Sequence, residues 1–247
     1  MSSRPKFFVA REQINNNKVT LTGSDVSHIR TVLRLEAGDS IQVISDSDKW
    51  LTVRLVEVKT KEVKGEVVAS VTINVESPLA VHLGQALTKG NKFDVILRKS
   101  VELGVRSITP LMTERCVVKT HRTEGKIERW KKIALESSKQ CGRTQIPQMA
   151  EGGIATLETF CRKNDHQDLK LIFWELEEKK TLKDIKLDVQ PRSVAVLIGP
   201  EGGFSQAEIE NVREYGFQTV GLGPRILRAE TAPVVALALL QSRWGDL

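Results

Sequence analysis

The residues of this chain best suited to chemistry are Gly199, Pro200, Glu201, Gly202 and Gly203. They lie in LIGPEGGFSQAEIE, where an apolar run ends in a glycine-rich turn with a glutamate at its centre. Glycines let backbone N–H and C=O groups come close to a ligand with no side chain in the way. Ser205, with Glu208 three residues later, makes a capping box that starts the next helix. A second turn of this kind lies in GLGPRILRAETAP, where Gly221 and Gly223 end a strand and Thr231 with Pro233 opens a helix. Phosphate is the first ligand to test, and both templates fail. Neither GxxxxGKS nor GxxxxGKT occurs, and GxGxxG begun at Gly221 would need glycine where Ile226 stands. Glu201 would also put a negative charge where a phosphate sits, with no lysine inside the loop to offset it. A neutral or cationic ligand with an adenine-like edge suits the loop better. The alternative is a tight strand-to-helix turn that binds nothing.

Such turns work only if strands deliver them to one edge of a sheet. From about residue 79 strands alternate with helices: AVHLGQAL, then NKFDVILRKSVELG as helix, then VRSITPL. The helix GKIERWKKIALESSKQCG, the buried strands LKLIFWE and SVAVLIG, the helix SQAEIENVREYG, the strand FQTVGLG and the closing helix ETAPVVALALLQSRW follow. Near-continuous apolar strands between helices predict a parallel α/β sheet covered on both faces, with ligands at the carboxyl ends of its strands. In the first helix Phe93, Ile96, Leu97, Val101 and Leu103 form an apolar stripe that Gly104 ends. The first seventy residues instead alternate polar and apolar in KVTLTG, SIQVIS, WLTVRLVEVK and KGEVVASVTINV, predicting a small barrel or curled sheet. One helix interrupts them at GSDVSHIRTVLRLEAGD, with Val26, Ile29, Val32 and Leu33 at helical spacing, Ser24 or Asp25 as cap and Gly38 as stop. The division falls near residues 72 to 79, giving domains 1–72 and 73–247.

Charge is unevenly spread. Residues 73–143 hold 14 basic and 7 acidic residues, against 11 and 9 before them and 12 and 15 after. A basic middle segment is the footprint of a polyanion binder, or simply of solvated helix faces. His28, His82, His121 and His166 are too dispersed for a zinc motif, so no metal is expected. Cys116, Cys141 and Cys161 are odd in number with no CxxC pair, and MSSRPKFFVA has no signal-peptide pattern, which fits a cytoplasmic protein. No apolar stretch approaches the ~18 residues that cross a bilayer, so no membrane partner is expected.

LIGPEGGFSQAEI together with GLGPRILRAETAPVVAL resembles the paired signature of the ribosomal RNA small-subunit methyltransferase E family, in the SPOUT superfamily of knotted methyltransferases. HIRTVLRLEAGD, GNKFDVILRKSVELGV, SSKQCGR and QSRWGDL extend the likeness over nearly the whole chain. One local departure is Lys139, where an acidic residue is expected. The resemblance implies a PUA-like β-barrel for RNA at the amino end, a trefoil-knotted α/β domain after it, and a homodimer. It also implies a cytoplasmic enzyme that transfers a methyl group from S-adenosylmethionine to N3 of a uridine in 16S ribosomal RNA or the small ribosomal subunit. The cofactor pocket would be made by Trp174, by Leu197, Ile198, Gly199, Pro200, Glu201, Gly202 and Gly203, and by Leu222, Gly223, Pro224, Ile226 and Leu227. Trp174 would either cover the adenine or fill the core.

Uridine N3 must lose a proton, and the charge that develops spreads to the flanking carbonyl oxygens, so a fixed donor there stabilises the transition state. Arg228 is the candidate donor, since arginine stays charged and cannot act as the base. Glu230 is the candidate base or the partner that orients Arg228; the plainer alternative is a helix-start ion pair. Gln140 and Arg143, placed on one side of the helix before Cys141, are candidates for the target nucleotide or the other protomer. Arg4, Arg11, His28, Arg30 and Arg34 are candidates for RNA phosphates. Two rivals remain: a noncatalytic RNA-binding ribosome assembly factor with the same fold, and an NAD-dependent enzyme, which the failed fingerprint disfavours.

Overall fold

The computed structural model describes residues 4–45, 49–73, 75–117, 125–150 and 152–247; His121 lies outside them. The chain divides into two compact units, Met1–Glu76 with Ser138–Gln145, and Ser77–Ser137 with Ile146–Leu247.

The first unit contains β1 (Lys6–Phe8), β2 (Ile14–Asn15), β3 (Lys18–Thr22), β4 (Ser40–Ile44), β5 (Lys49–Val58) and β6 (Glu62–Thr72). They pair in the order β1-β4-β5-β6-β3-β2, antiparallel except for β1 with β4. Among the described residues these pairings run from β1 to β2 without closing on themselves, as in the curled sheet that the alternating strands predict. Register shifts at Thr52/Val53 and Leu55/Glu57 bend the long β5–β6 pair. Alternate residues Val19 and Leu21, Ile41 and Val43, Val53 and Leu55 fill one core. The helix expected after β3 is shorter than its spacing suggests. α1 (Ser24–Ser27) widens into a turn closed by Leu33 N–H donating to the His28 carbonyl, and Arg34, at φ 53°, ends it before Gly38. Val26 and Ile29 are buried but Val32 is exposed, and Gly23 takes the cap position expected of Ser24 or Asp25.

The second unit follows the alternation: β7 (Ala80–Ala86), α2 (Lys92–Glu102), β8 (Ser107–Met112), α3 (Lys126–Cys141), β9 (Gln148–Met149), β10 (Ala155–Thr156) and α4 (Leu157–Lys163). β11 (Leu169–Phe173), β12 (Ser193–Ile198), α5 (Gln206–Glu214), β13 (Gln218–Val220) and α6 (Ala232–Trp244) complete it. All seven strands are parallel, in the order β10-β8-β7-β12-β11-β13 with β9 also against β8. Successive residues of β12 feed opposite cores: Val194, Val196 and Ile198 one, Ala195 and Leu197 the other. Phe93, Ile96, Leu97 and Val101 of α2 are buried as expected, and Gly104 turns the chain at φ 76°. Buried Gln241 of α6 donates to the Leu103 carbonyl at 3.0 Å and accepts from Ser77 Oγ at 2.6 Å, which fixes α6 beside the end of α2.

Burial pushes the Cys161 thiol up to about 12, which makes it an unreactive core group. Among the described residues no cluster could hold a metal ion and no helix is long and apolar enough to cross a membrane.

Candidate functional site

A cavity of about 300 Å³ opens at the carboxyl ends of β11, β12 and β13, where ligands of parallel sheets sit. The turn after β12 forms one wall. Gly203, at φ 67°, donates its N–H to the Pro200 carbonyl, and a Cβ at Gly199 would press on the Gly203 backbone at 3.2 Å. The capping box then starts α5, with Ser205 N–H on Glu208 Oε2 at 2.9 Å and Glu208 N–H on Ser205 Oγ at 3.3 Å. The turn after β13 forms the facing wall. Gly221 donates its N–H to the Lys180 carbonyl at 2.7 Å, so the segment after β11 packs directly on it.

Most residues expected at this site line it: Trp174, Ile198, Gly199, Pro200, Glu201, Gly202, Gly203, Leu222, Gly223, Pro224, Ile226 and Leu227. Leu197 does not. Strand alternation turns it to the opposite face, into the core with Phe160 and Leu111, while Ile198 faces the cavity. Trp174 is partly buried and lines the wall, and its Nε1–H is buried without a hydrogen-bond partner.

The charge expected on Glu201 needs correction. No lysine lies inside the loop, but the first turn of α2 brings one from 109 residues away: Lys92 Nζ is 3.1 Å from Glu201 Oε1 and the Lys89 N–H donates to the same oxygen at 3.1 Å. Burial raises the Glu201 carboxyl, but its own backbone amide, the Lys92 ammonium and the Lys89 amide outweigh burial and hold it below the usual range. Its charge is therefore neutralised locally and is no argument against an anionic ligand. Lys92 Nζ also lies 3.5 Å from Glu230 Oε2. One ammonium thus ties the turn after β12 to the segment before α6.

Arg228 and Glu230 are at the edge of this pocket, between and after the lining residues Leu227 and Ala229. Arg228 is 84% exposed and only 3.9 Å from Glu230 Oε1, a long and solvated pairing that leaves the guanidinium available. Sequence reasoning missed Lys92 and Arg115, whose guanidinium donates to the Gly202 carbonyl at 2.9 Å. Both meet the site only through the fold, whereas Gly221 stood in the second glycine turn and Glu175 beside Trp174 in LKLIFWE, neither of them named as a cavity residue.

Of the residues considered for RNA, Arg4, Arg11, Arg30, Arg34 and Gln140 are exposed, and His28 is half-buried with its ring edge-on to Phe7. Arg143 is different. α3 ends at Cys141, Gly142 reverses the chain at φ 81°, and Arg143 is 5% exposed with Nη2 2.5 Å from Glu76 Oε2. It therefore does not share a helix face with Gln140, and its guanidinium is committed to Glu76. The unexpected Lys139 has its own partner, Asp25 Oδ1 at 3.3 Å.

Residues 75–241 match the family profile described as RNA methyltransferase domain, and residues 21–68 match RNA methyltransferase PUA domain. The ribosomal RNA small subunit methyltransferase E of Buchnera aphidicola is 33% identical over 98% of this chain and 94% of its own. A Legionella pneumophila chain assigned as a methyltransferase, solved with its cofactor SAM bound, superposes with a TM-score of 0.89 at 38% identity, covering 99% of both chains. The Neisseria gonorrhoeae ribosomal RNA small subunit methyltransferase E, solved bound to S-adenosyl methionine, gives 0.85 at 33% identity, again over 99% of both. A parallel α/β sheet ending in two glycine turns around one cavity, with these matches along its whole length, shows that the chain belongs to the ribosomal RNA small subunit methyltransferase E family.

Proposed function

We propose that this protein is an S-adenosylmethionine-dependent methyltransferase acting on N3 of a uridine in 16S ribosomal RNA, within or before assembly of the small subunit. The observation that carries this reading is the cavity framed by the turns after β12 and β13, in a chain whose full-length structural relatives were solved with that cofactor. Its residues fit the group. Five glycines, Gly199, Gly202, Gly203, Gly221 and Gly223, leave main-chain groups open along the walls, apolar side chains of Ile198, Leu222 and Leu227 stand beside them, and the buried Trp174 Nε1–H lacks an acceptor. The cofactor supplies an electrophilic methyl group on a sulfonium. Trp174, Ile198 to Gly203 and Leu222 to Leu227 would hold it, with Leu197 supporting from the core. Arg228 stabilises the charge that develops on the uracil oxygens, and Glu230 either orients Arg228 or takes the N3 proton. Arg4, Arg11, His28, Arg30, Arg34 and Gln140 offer contacts to RNA, and all six belong to the first compact unit, Met1–Glu76 with Ser138–Gln145.

The test is incubation with labelled S-adenosylmethionine and small subunits from cells lacking this protein. Label in one uridine of 16S RNA is expected; unlabelled RNA, together with no binding of the cofactor in calorimetry, would favour the noncatalytic assembly factor.

A trefoil knot, a cytoplasmic location and a homodimer belong to the same reading. The knot agrees with the Lys180–Gly221 contact, where the chain after β13 passes the loop after β11. The dimer is supported by α6, where Val234, Val235 and Ala238 are only partly covered and Leu239 is 45% exposed, and by Ile226 at 85%. Sedimentation equilibrium should give twice the chain mass; a monomer at micromolar concentration would remove the dimer.

A further inference from the structure

Three carboxylates line the cavity, and two are spent within the protein. Glu201 is held by Lys92 and the Lys89 amide. Glu177 accepts the N–H groups of Lys179 and Lys180 at 3.1 and 3.2 Å on one oxygen and the Thr219 hydroxyl at 2.8 Å on the other. Glu175 alone, among the described residues that line the cavity with a carboxylate, is exposed and engaged by no hydrogen bond or ion pair.

Its position is built by the fold. A Cβ placed on Gly203 would fall 1.8 Å from Glu175 Oε1, so the carboxylate occupies the space that this glycine leaves empty. Gly203 therefore serves two ends: it adopts φ 67° for the turn and it admits Glu175 over the cavity wall. A carboxylate left unpaired on the wall of a concave site is available to positive charge on a bound ligand.

We propose that Glu175 binds the positively charged methionyl half of the cofactor, pairing with its sulfonium or its ammonium, and so favours the charged cofactor over neutral adenosine thioethers. The proposal rests on the S-adenosylmethionine reading above and assigns to Glu175 the attraction that the sequence had placed on Glu201.

Calorimetry on wild type and Glu175→Gln with three probes tests it: S-adenosylmethionine, S-adenosylhomocysteine and 5′-methylthioadenosine. The first carries both positive groups, the second only the ammonium, the third neither. Glu175→Gln should weaken S-adenosylmethionine on the order of tenfold, in the range of a lost charge-assisted hydrogen bond, and leave methylthioadenosine unchanged. A loss shared with S-adenosylhomocysteine puts the partner at the ammonium, and a loss confined to S-adenosylmethionine puts it at the sulfonium; either supports the proposal. Equal loss for all three probes means that Glu175 holds the ribose or the loop, and no loss for any means that it holds nothing; both overturn it. Glu175→Asp keeps the charge and should recover part of the lost affinity, which a damaged fold would not. A wild type that binds none of the three refutes the cofactor reading itself, a result distinct from any outcome of the variants.

Discussion

Replacing Arg228 with alanine should slow methyl transfer about a hundredfold or more, the usual effect of deleting a donor aimed at developing charge, while cofactor affinity stays near wild type. The split follows from where the side chain stands. Arg228 is not among the residues lining the cavity, and it is 84% exposed on the turn that leads into α6. What anchors that turn is the Arg228 carbonyl, which accepts the N–H groups of Thr231 and Ala232 and survives the substitution. Among the described residues the ion pair removed is the 3.9 Å contact with Glu230, too long and too solvated to contribute much. Single-turnover transfer to undermethylated subunits, beside calorimetry with S-adenosylmethionine, reads both quantities. A parallel fall in rate and affinity would mean that Arg228 shapes the pocket and takes no part in stabilising charge on the base. Arg228→Lys should lie between, since it keeps the charge and loses the planar fork.

The second large effect is expected at Gly221. A Cβ there would lie 2.2 Å from the Glu177 carbonyl oxygen, a main-chain atom that no side-chain rotation can move away. Gly221 is buried and its N–H is bonded to the Lys180 carbonyl, so relief requires the two segments to part. Gly221→Ala should therefore destabilise by about 1–3 kcal/mol or more as an overpacked site, lowering the melting temperature by roughly 5 °C. Cofactor affinity should fall with it, because Glu177, Gly221 and Leu222 are all parts of the cavity wall. Gly223→Ala is the control: at φ 101° it meets strain, but nothing lies within 4 Å of its Cβ. A Gly221→Ala protein that melts like wild type would show that the two segments are not so closely packed.

The strands and helices that carry the site were legible because each repeats its pattern over many residues. KVTLT, AVHLGQA and SVAVLI read as strands and fold as β3, β7 and β12. The stripe on α2 and the capping box before α5 were equally plain. Short elements gave no such repetition: β1, β9, β10 and α4 passed unread, the last with only Leu157, Phe160 and Cys161 to bury. At the site, the two glycine turns were visible because glycine spacing is local. The Lys92 tie was not, since its partners are 109 and 138 residues away in sequence and only the parallel sheet brings them together. Leu197 shows a third kind of miss. Its neighbour Ile198 was equally apolar, and only the strand's parity decides which of the two faces the cavity.

The turns Gly199–Gly203 and Gly221–Gly223 set the course of the main chain along the cavity wall, beside side chains such as Trp174, Ile198 and Leu227. A drug-like compound that reads those peptide atoms would therefore leave natural selection little to edit. Exchanging a side chain leaves the amides and carbonyls in place, whereas rerouting them at Gly203 or Gly221 would disable the catalyst along with the drug. Resistance would have to arise elsewhere, by efflux or by making more of the protein.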